Sequence, residues 1–153
     1  MLVRKTIATL SMFGILAGGA LADKLPKDAV ELSADEVKAI YSGKSTDWSK
    51  SSAYFAPDGQ YFGVAKDGSV AAEGTWAVNG NKVCADIKRH DLKGNSGIKS
   101  MESCWTWFKQ GKKYWTFWSG EKDQVNGYYD GEIKKLSKGD KVSKKFKKLV
   151  ASN

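Results

Sequence analysis

The sequence predicts a mainly β fold: an antiparallel, barrel-like meander with one short N-terminal helix and a candidate C-terminal helix. Three observations support this. After Trp48 the chain breaks into short runs rich in aromatic and β-branched residues, glycine-containing turn pairs separate those runs, and no helical periodicity intervenes. Strands that follow one another through tight turns pair with their neighbours, so the alternatives are a meander closed into a barrel or one folded into a sandwich.

The chain begins with a segment that is no part of that domain. Arg4 and Lys5 precede an uncharged, largely apolar stretch from Thr6 to Gly19, and Ala20-Leu21-Ala22 follows with small residues spaced as a signal peptidase requires. The stretch is shorter than the roughly 20 residues a membrane span needs. Residues 1–22 therefore read as a signal peptide cut between Ala22 and Asp23, which implies a periplasmic or secreted protein. Residues 23–153 form a single β-rich domain with a basic tail from about 138 to 153. Removing Arg4 and Lys5 lowers the formal charge from +8 to +6. A surplus of that size draws the protein toward anionic partners, though solubility alone would also account for it.

Ser33-Ala34-Asp35-Glu36 has the spacing of a capping box, and Val37, Ile40 and Tyr41 continue at helical spacing to Gly43. Runs at Ala53–Ala56 and Gln60–Ala65 flank Pro57-Asp58-Gly59. Asp67-Gly68 introduces Val70–Val78, and Asn79-Gly80-Asn81 introduces Lys82–Lys88. His90–Ser100 reads as a longer polar loop, Ser103–Gln110 and Lys113–Ser119 as a hairpin around Gly111-Lys112, and Gly127–Leu136 as a further strand. In the tail, Val142, Phe146, Leu149 and Val150 share a stripe among Lys141, Lys144, Lys145, Lys147 and Lys148. That pattern suits a helix docked on the barrel with solvated lysines, and equally an interfacial helix.

Cys84 and Cys104 are the only cysteines, and an exported chain favours pairing them. Paired, they supply neither a nucleophile nor a metal ligand. His90 is the single histidine, in an expected loop without a partner at useful spacing. Gly43-Lys44-Ser45 lacks the upstream glycine and strand of a phosphate-binding loop, and Gly94-Asn95-Ser96-Gly97 is one residue short of a nucleophile elbow. Asp86, Asp130 and Glu132 could pair across strands as glycosidase carboxylates do. No catalytic residue, metal site or cofactor is expected from these patterns.

The hairpin around Gly111-Lys112 carries the candidate binding residues. A two-residue turn sets Gln110 opposite Lys113, Phe108 opposite Trp115, Thr106 opposite Phe117 and Trp105 opposite Trp118. Alternation then places Trp105, Trp107, Tyr114 and Trp118 on one face, and Cys104, Thr106, Phe108, Trp115 and Phe117 on the other. Both faces are aromatic, whereas a half-solvated sheet needs only one apolar face. One face is core. The other is either covered or forms a surface where Trp105, Trp107, Tyr114 and Trp118 meet an apolar ligand or a sugar, with nearby lysines selecting acidic ligands.

Leu32-Ser33-Ala34-Asp35-Glu36-Val37, Tyr54-Phe55-Ala56-Pro57-Asp58-Gly59, Gly74-Thr75-Trp76-Ala77-Val78, the two cysteines and Gly139-Asp140 follow in an order that resembles a family of small secreted proteobacterial proteins catalogued as a domain of unknown function. The resemblance spans about Leu32 to Asp140. It implies export and a compact β domain, and brings no activity with it. Glu73 to Cys104 is more weakly similar to lipocalin-like barrels, including small bacterial protease inhibitors, for which the segment Asp23–Lys27 would matter in binding. The leading expectation is an exported non-catalytic binding or envelope-associated protein, with an anionic envelope component, a glycan or an apolar small molecule as ligand. A secreted inhibitor with a protein partner comes second and an enzyme third. Neither nucleic acid nor integration into the membrane after processing is expected.

Overall fold

The computed structural model describes residues 23–94 and 97–152, so the expected signal peptide, including Ala22 at the cleavage site, and Asn95-Ser96 of the loop lie outside the described residues. The elements in chain order are β1 (Val30–Glu31), α1 (Ala34–Tyr41), β2 (Lys44–Asp47), β3 (Ser51–Phe55), β4 (Gln60–Ala65), β5 (Val70–Asn79), β6 (Lys82–Asp91), β7 (Ile98–Gln110), β8 (Lys113–Trp118), a 3-10 turn (Glu132–Lys135), β9 (Leu136–Lys138) and α2 (Ser143–Ala151). All pairings are antiparallel. The strands run β1-β7-β6-β5-β4-β3-β2-β9, with β8 also on β7, and the sheet curls into a half-barrel.

Local chemistry starts and stops these elements. Ser33 caps α1 by accepting the Glu36 N–H, and the Glu36 carboxylate accepts the Ser33 N–H in return. The β5–β6 and β7–β8 turns each place a glycine first of two loop residues, Gly80 at φ 58° and Gly111 at φ 57°. That left-handed backbone matches the twist of a tight hairpin. The expected register of β7 and β8 is found in full, from Gln110↔Lys113 to Trp105↔Trp118. Cys84 and Cys104 face each other across β6 and β7 and are bonded, with Cα atoms 4.1 Å apart.

Burial then separates the two sides of the sheet. The inner side packs Ala53, Phe55, Tyr61, Trp76, Val83, Ala85, Ile87, Trp105 and Trp107 against Val37, Ile40 and Tyr41 of α1, which plugs the half-barrel. Tyr41 meets Phe55 at 4.6 Å and Trp107 at 5.9 Å between ring centroids. On the outer side, Phe146 and Val142 of the α2 segment cover Val64 and Ala71, with Phe146 5.3 Å from Phe62. The tail is therefore a docked helix, its apolar stripe inward.

Two expected boundaries differ. His90 and Asp91 extend β6 and Ile98 begins β7, because Val70 and Ala71 and then the facing strand supply backbone partners through what reads as a polar loop. Gly127–Leu136 is no continuous strand. It contributes single bridges, Tyr128 to Asp23 and Tyr129 to Thr116, then the 3-10 turn and β9. This segment fills the seam between β8 and β9. Glu132, 1% exposed, anchors it by accepting the Trp48 indole N–H at 2.7 Å and the Tyr129 hydroxyl at 3.4 Å. Trp48 in turn stacks on Trp105.

Candidate functional site

The four rings singled out in the hairpin do share one face of the sheet, and it is the inner face. Trp105 and Trp107 are 5% and 0% exposed and belong to the core, enclosed by Tyr41 and Phe55. Tyr114 and Trp118 lie at opposite ends of β8, 37% and 39% exposed, with buried Thr116 between them. Trp118 donates its indole N–H to Ser103 at 2.8 Å. The structure thus does not assemble the four into one exposed platform, because α1 occupies the concave side of the hairpin. The other aromatic face is covered as well: Tyr128 packs on Phe108 and Phe117, and is itself held by two backbone hydrogen bonds to Asp23.

Of the carboxylates Asp86, Asp130 and Glu132, the fold keeps Asp86 away from Glu132. Asp86 projects from the outer side of β6, opposite Glu102, whereas Glu132 is buried in the seam. Asp86 and Glu102 line a shallow outer groove of 770 Å³ with Glu73 and Lys88. Like charges directly opposite on paired strands disfavour the ladder, and nothing else in that groove points to a ligand. His90 sits on the same side, its Nε2 3.3 Å from Glu73 and its side chain mostly covered.

What sequence reasoning missed is a row that crosses the inner side of the half-barrel at its open end. The register aligns Ala53, Gly63, Ala72, Arg89 and Lys99 across β3 to β7. One step deeper lie Phe55, Tyr61, Gly74, Ile87 and Met101. Phe55, Tyr61 and Ile87 fill the deeper row around Gly74, and Ala53, Gly63 and Ala72 leave the next row hollow, so a mouth opens above Tyr61. Its recess measures 580 Å³ and is lined by Ser51, Tyr61, Gly63, Ala65, Ala72 and Arg89, with Lys50 and Lys66 at the rim. Gly63 helps keep this shape, since a Cβ there would lie 3.2 Å from the Tyr61 ring and hydroxyl and press on them. Burial pushes the Tyr61 hydroxyl well above the usual tyrosine range, so it stays a neutral donor.

Electrostatically the mouth is mostly basic, with Lys50, Lys66 and Arg89 against one acid, Asp67, in the lining of the recess. Arg89 and Lys99 face each other across β6 and β7, both exposed, and neither makes an ion pair or side-chain hydrogen bond among the described residues. A smaller depression between them is shared with Asp91, whose Oδ1 already accepts the N–H groups of Lys93 and Gly94. Lys66 is paired with Asp47 at 2.9 Å. Arg89 is also the only arginine after residue 22, and its planar fork suits carboxylate and phosphate groups better than the lysines around it. The signal existed in the sequence as glycine and alanines spaced against Arg89, but only strand register brings them into line.

Among known proteins, a family model described as "Protein of unknown function (DUF995)" matches residues 9–144. No curated protein and no solved structure matches the chain.

Proposed function

Since the chain belongs to this DUF995 family, which brings no activity with it, we propose from the site itself that it is an exported, non-catalytic binding protein that takes an acidic ligand at the mouth of the half-barrel. The observation that carries this reading is the Arg89 and Lys99 pair, two cations held side by side by the ladder, with Arg89 lining the hollow row of small residues and Lys99 beside it. Holding like charges in register disfavours the empty protein slightly, and an anion bound between them removes that penalty. The hollow row accepts the body of such a ligand and the Tyr61 hydroxyl offers one neutral donor. Export is supported by the charged and apolar segments of residues 1–22 and by the Cys84–Cys104 bond, which persists in oxidising compartments.

Two measurements test the proposal. Intact mass of the protein recovered from a bacterial periplasm should correspond to a chain starting at Asp23, and a retained Met1 would refute export. Periplasmic extract passed over immobilised protein should leave acidic small molecules or glycans on the native chain and not on an R89Q/K99Q double variant. Equal retention by both removes the mouth from consideration. A stoichiometric protein on both columns would favour an inhibitor instead.

A further inference from the structure

The outer side of the same end carries a second cationic feature that the mouth does not use. Residues 141–151 hold five lysines and no acid. Because Val142 and Phe146 are buried against β4 and β5, the rotation of α2 is fixed, and Lys144, Lys147 and Lys148 project away from the sheet. Lys145 lies to one side and donates to the Lys66 carbonyl at 3.4 Å in the β4–β5 turn. Lys93 donates to the Asp67 carbonyl of that turn at 2.9 Å. The helix face and the turn thus adjoin one another beside the mouth, with Asp67 the acid in that turn.

The nearby acids offset this surface only in part, since Lys66, Lys93, Lys141, Lys144, Lys145, Lys147 and Lys148 outnumber Asp47, Asp67 and Asp140, of which Asp47 pairs with Lys66 and Asp140 feels Lys147. Asp140 spends its Oδ1 on the N–H groups of Val142 and Ser143, Asp67 on the Ser69 N–H and hydroxyl, and Asp47 on Lys66 and Ser52. Within the helix, Lys144 has Lys147 and Lys148 three and four residues on, which is repulsive. Lys144 and Lys145 also sit in the first turn, where the helix dipole disfavours positive charge. Packing of Phe146 holds a helix together that its own charges oppose, and an extended anionic plane would add an attraction to each lysine that offsets this repulsion.

We infer that the exposed face of α2, with the β4–β5 turn, is a docking surface for an anionic lipid bilayer. It is a peripheral contact: the apolar stripe is already committed to the sheet, and no helix among the described residues is long and apolar enough to cross a membrane. Docked this way, the protein lies against the bilayer through headgroup attraction alone, so binding follows surface charge and ionic strength. Each lysine at such a surface raises partitioning roughly fivefold, so three together account for about a hundredfold.

Vesicle co-sedimentation of the protein produced from its full-length chain tests this. Vesicles of phosphatidylcholine containing phosphatidylglycerol should retain the protein at low salt, release it as sodium chloride rises, and retain about a hundredfold less of a K144Q/K147Q/K148Q variant. These side chains are exposed and their charges oppose the helix, so the variant should melt with the native protein or slightly above it, and K147Q alone should show a several-fold loss. Equal binding to pure phosphatidylcholine, no binding to the anionic vesicles at low salt, or undiminished binding by the triple variant would each overturn the inference. The R89Q/K99Q variant should still bind vesicles, which separates failure of this surface from failure of the mouth.

Discussion

Substituting Gly74 by alanine offers a direct measure of how tightly β5 and β6 approach. An added Cβ would lie 1.9 Å from the Asp86 carbonyl oxygen and 2.9 Å from its carbon, both backbone atoms of the neighbouring strand that cannot rotate away. The strands must part locally by about 1 Å, in the middle of a ladder that pairs Val70–Asn79 with Lys82–Asp91. Overpacking of this kind costs about 1–3 kcal/mol, and rupture of ladder hydrogen bonds puts Gly74 at the upper end. Alanine returns roughly 0.5–1 kcal/mol by restricting the unfolded chain. The net loss is therefore about 2 kcal/mol, or roughly 6–10 °C in melting temperature for a domain of this size. Gly131 is the matched control. It has φ −88° and no atom within 4 Å of a built Cβ, so G131A should raise stability by about 0.4–1 kcal/mol. Both are measured by thermal unfolding followed by circular dichroism. If G74A melts with the native protein, the close approach is relieved without strain and the argument fails.

Trp107 is wholly buried and Trp118 is 39% exposed, so W107A should lose about 3–5 kcal/mol in chemical denaturation and W118A clearly less; equal losses would contradict the division of the hairpin into core and rim. Glu36 is held down to about 2 from an ordinary 4.5, first by its hydrogen bond from Lys109 and then by the Ser33 N–H and hydroxyl. A lowered carboxylate stabilises the fold fully above its unfolded value and stops doing so as pH falls through the folded one. The stability gap between the native protein and E36Q should therefore close between pH 4.5 and about 2, and a gap unchanged across that window would exclude the Lys109 contact as its source. Reducing the Cys84–Cys104 bond, which closes a separation of 20 residues, should remove about 3 kcal/mol, read from denaturation with and without reductant; identical midpoints would show that strand pairing alone already confines the loop.

Much of the fold was legible because its signals are local. Ser33 and Glu36 cap each other three residues apart, and Gly80 and Gly111 set two hairpin registers by turn geometry alone. The faces of β7 and β8 followed from alternation. Which face would be interior did not, since both are aromatic and the choice depends on where α1 docks, through Tyr41, and on Tyr128 reaching the opposite side. β2 and β9 were missed for a similar reason: Lys44–Asp47 and Leu136–Lys138 have little apolar alternation and are strands because they pair with each other. The mouth belongs to this second class. Gly63, Ala72 and Arg89 are ordinary residues in their own strands and become a site only when the ladder places them side by side.

The pairing of β2 with β9 also dictates when folding can finish. Ser45 donates its hydroxyl to the Gly139 carbonyl and accepts the Lys141 N–H, contacts that span more than ninety residues of sequence. Until residues 136–141 are present, β2 has a single neighbour and the seam anchored by Glu132 stays open. Contacts this distant close late and slowly, since the loop between them must be ordered first. With this topology β3 to β8 pair with neighbours through short connections, whereas β2 gains its second neighbour only through residues 136–138, so closure of that edge of the half-barrel is the part of the fold most sensitive to loss of this segment.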